Sequence, residues 1–118
     1  MIKKVINAST LFSLFLTAFV HANPGSWMPT EKSISSIIVE GDDNGRAIVL
    51  IEGGVPSDYI PSECRSGSNG TYNTIPLHTD KGRGMYSLAL AAHASGKKVK
   101  LALSCTGNRP LITHIWSL

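Results

Sequence analysis

The sequence predicts a small, mainly β fold with one helix, arranged as a five-stranded, partly open barrel. An α+β meander is the fallback. Three observations carry this prediction. Two apolar runs flank a turn-forming stretch at 41–45. A strict polar/apolar alternation runs from Lys98 to Cys105. A single Leu/Ala-rich segment stops at Gly96. Strands show a period of two and helices one of about 3.6, so the patterns assign the element types.

Taken in order, Asn23 to Lys32 is an irregular lead containing Pro24, Gly25 and Pro29, with Trp27 as its apolar anchor. Ser33 to Glu40 reads as a strand. Ile37 and Val39 face one way, and Ser36 and Glu40 the other. Gly41-Asp42-Asp43-Asn44-Gly45 is dense in residues that form turns. Arg46 to Glu52 is apolar on both faces and so is expected at the centre of its sheet. These two strands form a hairpin. Gly53 to Asn69, rich in Gly, Pro and Ser, reads as a long loop that contains Cys64. Thr71 to Leu77 is a short strand, and Pro76 places an edge or an end there.

Gly84 to Ser95 is the helix, closed by Gly96 and followed by Lys97 and Lys98 at the negative end of its dipole. Met85, Leu88, Ala89 and Ala92 form one face, with Tyr86, Leu90 and His93 on a second flank. Gly82-Arg83-Gly84 reads as a flexible loop leading in. From Lys98 to Cys105, Val99, Leu101, Leu103 and Cys105 point inward, while Lys98, Lys100 and Ser104 point out. A turn from Thr106 to Pro110 leads to a last strand, Leu111 to Leu118. A helix between the third and fourth of five strands is the order of an oligonucleotide/oligosaccharide-binding (OB) barrel.

Lys3 and Lys4, an apolar run from Leu11 to Val20 and Val20-His21-Ala22 have the form of a cleaved signal peptide over residues 1–22. The run is far shorter than the ~20 residues a membrane helix needs. Export to the periplasm or outside the cell is therefore expected, with a single domain at 23–118 and no membrane span. Lys3 and Lys4 leave with the signal, and the remaining nine Lys and Arg nearly balance eight Asp and Glu. That balance gives no argument for nucleic acid, and no nucleic-acid partner is expected.

Cys64 and Cys105 are the two cysteines, and an exported chain with one pair is expected to join them in a disulfide. Two isolated cysteines lack zinc-ligand spacing, so no metal is expected. His78, His93 and His114 belong to no G-x-S-x-G elbow or other catalytic set. His78 is expected in solvent and His93 in a structural role. No cofactor and no catalytic residue is expected. Among the aromatic residues, Trp116 is expected to pack in the core. Tyr59 and Tyr72, in polar loop surroundings, are the candidate ligand contacts.

The segment Tyr86 to Val99, followed by Ser104-Cys105 and Pro110-Leu111-Ile112, resembles a group of small exported bacterial proteins. Their pattern is a Leu/Ala helix, a Gly-Lys turn, a strand ending in cysteine, and a closing strand. More distantly it is similar to the binding (B) subunits of AB5 toxins of the subtilase and pertussis-like kinds. That resemblance implies an OB fold, assembly into a ring and binding of cell-surface glycans. The expected function is a secreted non-enzymatic binding module for a glycan or protein partner that also forms a homo-oligomer. A small envelope structural protein or an enzyme inhibitor is the competing expectation.

Overall fold

A computed structural model describes residues 25–64, 72–106 and 109–118. The expected signal segment and the Asn69-Gly70-Thr71 stretch lie outside these residues. Among the described residues the fold is mainly β with one α-helix. Strands β1 (Ile34–Glu40), β2 (Arg46–Ile51) and β3 (Tyr72–Pro76) precede helix α1 (Asp80–Ser95). Strands β4 (Val99–Thr106) and β5 (Arg109–Ser117) follow it. The five strands form one sheet in the order β1-β2-β3-β5-β4. All neighbours are antiparallel except β3 and β5, which run parallel. β2 is an interior strand, flanked by β1 and β3, while the middle position is taken by β3; as expected, Pro76 ends its strand.

The sheet is open rather than closed into a barrel. The lead into β1 approaches β4 only at separate points. Lys32 and Val99 exchange two backbone hydrogen bonds of 3.0 and 2.8 Å, and the Met28 amide donates to the Leu101 carbonyl at 3.0 Å. The chain bends at Pro29 and Thr30 between these points, so four residues of the lead face two of β4 and no continuous ladder forms.

The inner face carries the core. Val49 and Ile51 on β2, Ile75 on β3, Leu101 and Leu103 on β4 and Ile112 on β5 are all buried together. The alternation on β4 points inward as read. On β1, Ile37 packs against this core, whereas Val39 is exposed near the hairpin tip. The Gly53–Asn69 loop is not structureless: it contains two short 3-10 turns, Ser57–Tyr59 and Ser62–Cys64. Buried Cys64 is bonded to Cys105, with Cα atoms 5.9 Å apart across a sequence separation of 41 residues. Closing a loop of that length stabilises the fold by roughly 4 kcal/mol on the chain-entropy account.

The helix begins at Asp80, four residues before the expected start. Thr79 caps it, its hydroxyl accepting from the Gly82 amide at 3.0 Å. Gly82 is therefore the first turn of a helix, not part of a flexible loop. It is buried against the end of β3, where an added Cβ would lie 1.6 Å from the Pro76 carbonyl oxygen. At the other end Gly96 takes the left-handed conformation, φ 70°, as a C-cap requires. The packed face is narrow. Ala89 and Ala92 are buried and Met85 and Tyr86 pack beside them. Leu88, expected inside, is 38% exposed, and Leu90 is 41% exposed. His93 is structural as read: its Nδ1 donates to the Ile34 carbonyl at 3.0 Å, tying α1 to β1.

Two bulges reset which side chains face the core. On β1 the register slips between Ile34 and Ser36, and the Ser35 hydroxyl donates to the Leu50 carbonyl at 3.1 Å. On β5, Ala102 faces His114 while Leu103 faces Ile112, which leaves Thr113 as the extra residue. Its hydroxyl donates to the Ala102 carbonyl at 3.0 Å. Each inserted residue reverses the alternation beyond it.

The two glycines of the first helical turns predict opposite effects. Gly82→Ala forces the helix off Pro76 and should destabilise by at least about 1–3 kcal/mol, the range for overpacking. Gly84 has open space where a Cβ would go. Gly84→Ala should stabilise by about 0.5–1 kcal/mol through helix propensity. Chemical denaturation of both variants measures the pair, and a common sign would contradict this docking of α1.

Candidate functional site

The outer face of the sheet holds the surface features that the fold itself does not consume. Beyond the Thr113 bulge, Ile115 turns inward to pack against the core. His114 and Trp116 turn outward and are exposed. Trp116 is thus not a core residue: it is 51% exposed. Trp27, 41% exposed, comes from the lead and meets Trp116 edge to face, with ring centroids 6.0 Å apart and planes at 66°. Trp27 also contacts His114 at 5.7 Å and 64°. Its neighbour Met28 is fully buried, and the Met28 amide bonds to β4, which fixes the indole's position. Lys100 lies opposite Trp116 on β4 and holds its ammonium 6.0 Å from the ring centroid. Two indoles, an imidazole and an ammonium therefore share one exposed patch.

Farther along the same face, a groove of about 340 Å³ opens between the hairpin turn, β2, β3 and β5. Asn44, Gly45, Arg46, Thr74, Pro76, His78 and Leu111 line it. The Thr74 hydroxyl donates to the Pro110 carbonyl at 2.9 Å, locking β3 beside β5 at the groove floor. The Leu77 amide donates to Gly45 at 2.9 Å and holds the hairpin turn at its rim. Glu40 accepts from two guanidinium groups. Arg46 approaches to 2.7 Å and Arg109 to 3.3 Å. The Arg46 hydrogen bond holds the Glu40 carboxyl below its ordinary range against the opposing desolvation, with smaller help from the charges of Arg46 and Arg109 and the Arg109 hydrogen bond. Apolar Pro76 and Leu111 and the polar groups of Asn44, Arg46, Thr74 and His78 give the groove the mixed lining of a small-ligand cleft.

The two expected contact tyrosines are not brought together. Tyr72 opens β3, within the expected short strand, and is half-buried rather than fully exposed, with the Arg109 guanidinium 5.8 Å from its ring centroid. Tyr59 lies in a 3-10 turn and packs partly buried against the core. His78 is exposed as read, at the groove wall. Trp27 and Lys100 were not among the candidate contacts. The signal that could have found Trp27 is an indole next to Met28 in an otherwise polar lead. Among the described residues, no group of three or more His, Cys, Asp and Glu side chains is placed to hold a metal ion. No helix there is long and apolar enough to cross a membrane.

The depressed Glu40 pKa sets a pH dependence. Because the folded value lies below the unfolded one, the pair contributes its stability at pH above the unfolded carboxylate range. That contribution is lost as pH falls through the lower, folded value. Wild type should therefore exceed Glu40→Gln in unfolding midpoint near neutrality, by a small margin for so exposed a pair. The margin should vanish in strong acid. A margin that grows on acidification would contradict the ion-pair assignment.

Set against known proteins, the chain matches no family model, no curated protein and no solved structure.

Proposed function

We propose that this chain is an exported, non-enzymatic binding module that holds a glycan by stacking a sugar ring on Trp27 and Trp116. One observation carries the reading: both tryptophans of the chain stand exposed and in contact on one patch. Aromatic rings of this kind have an apolar face and a polar edge. A pyranose has an apolar C–H face and hydroxyls around its rim, and so matches both. Lys100 and His114 supply polar groups at the rim. The disulfide supports export, since such bonds persist in oxidising compartments. The likeness to toxin binding subunits points the same way.

A glycan array probed with the protein from its exported fraction tests this. Retention should fall about tenfold or more in Trp116→Ala, as expected for a central aromatic contact, and persist in Tyr59→Ala. A blank array, or full retention by Trp116→Ala, would overturn the reading.

We also propose self-association, in which a second copy would cover Leu88 or Leu90, exposed on opposite flanks of α1. Light scattering should show an oligomer at micromolar concentration that Leu88→Ser with Leu90→Ser reduces to a monomer; a wild-type monomer refutes it.

A further inference from the structure

We propose that the groove and the tryptophan patch are two ends of one binding track, so that the partner is a linear oligosaccharide longer than a single ring. The proposal rests on the glycan reading above and specifies the size and shape of what is bound. Its basis is a juxtaposition on β5. Leu111 forms a wall of the groove, and His114 touches Trp27. Both lie on the outward face of the same strand, because Leu111 pairs with Ser104 and His114 with Ala102, away from the inward Leu101 and Leu103. Across the Thr113 bulge the paired strand advances only two residues, from Ser104 to Ala102, so the interval is roughly 7 Å at ~3.3 Å per residue. A ring stacked on the indoles beyond His114 does not also fill the groove beyond Leu111; consecutive rings of a linear chain do.

The two ends offer complementary chemistry along such a chain. At one end the indoles present apolar surface to the C–H face of a ring. At the other, the Arg46 guanidinium and Asn44 amide supply hydrogen-bond donors for hydroxyls, above the apolar surface of Pro76 and Leu111. Other elongated ligands fit less well. A nucleic acid strand needs a row of cations along its phosphates, and among the described residues the track offers Lys100 at one end and Arg46, already paired with Glu40, at the other. A quaternary ammonium would compete with the Lys100 ammonium already placed over Trp116.

The test is the dependence of affinity on chain length. The probes are cello-, manno-, β-1,4-galacto- and chito-oligosaccharides, each from the single methyl glycoside to the tetrasaccharide. Both tryptophans of the chain lie at one end of the track, so their emission reports occupancy of that end. Calorimetry supplies the affinity. In any series that perturbs the emission, affinity should rise about tenfold or more between the single ring and the longer oligomers. Arg46→Ala should lower the tetrasaccharide affinity to that of the wild-type protein for a single ring. Asn44→Ala, which breaks no ion pair, should lower it in the same direction. Thermal unfolding of each variant confirms that it is folded. Single rings and tetrasaccharides bound equally well would overturn the track and leave the stacking site standing. Length-dependent affinity unchanged in both groove variants would also overturn it. No change in tryptophan emission with any probe, together with a blank array, would remove the glycan reading and the track with it.

Discussion

The Pro76 carbonyl leaves no room for a side chain at Gly82, in the first turn of α1, and the arrangement of the second half of the fold follows from that close approach. Gly82 lets the helix start directly against the end of β3. Thr79 caps it there, and the Arg83 guanidinium donates to the Leu77 carbonyl at 3.1 Å. A helix anchored at this point carries the chain across the core, with Ala89 and Ala92 against it, and delivers β4 to the far edge of the sheet. The return strand β5 then falls into the one position beside β3, parallel to it. Parallel neighbours require such a crossover. The Thr74 bond to Pro110 secures the junction, and the disulfide ties the β4 end back to the long loop.

With that frame set, the surface is shaped by insertions. Ser35 and Thr113 use the same device: an extra residue whose hydroxyl donates to a carbonyl of the neighbouring strand. The hydroxyl gives the bulged residue a partner that the regular ladder would not. Each bulge lets both of its flanking segments serve the core, since Ile34 and Ile37, and likewise Ile112 and Ile115, all turn inward. The outward positions that result on β5 are His114 and Trp116.

Much of the fold was legible because it follows local rules. Alternation marked β4, turn residues marked the β1–β2 hairpin, two-sided apolarity marked β2 as an interior strand, and Gly96 marked the helix end. The start of α1 was not legible. Lys81-Gly82-Arg83-Gly84 reads as a loop on propensity, and the glycine is explained only by a carbonyl six residues back in the chain and adjacent in space. Barrel closure was equally hidden, because it turns on how the lead, with its bend at Pro29 and Thr30, meets β4 far along the sequence. The candidate site was read least well. Tyr72 reads as a strand residue whose polar neighbours suggest an exposed contact, whereas it is half-buried beside Arg109. Ile112, His114 and Trp116 share one face under a plain period of two, so Trp116 reads as core; nothing in the letters announces that Thr113 is the extra residue.

That extra residue makes the identity of the outer surface a matter of chain length as much as of composition. Removing one position from β5 between Ile112 and His114 would leave every aromatic letter in place and turn the indole of Trp116 toward the core, exchanging it with Ile115. Two sequences that differ there by a single gap can therefore look nearly identical and present unrelated surfaces. An alignment that allows no gap at Thr113 would match Trp116 to interior positions of other chains and score the platform as a conserved core.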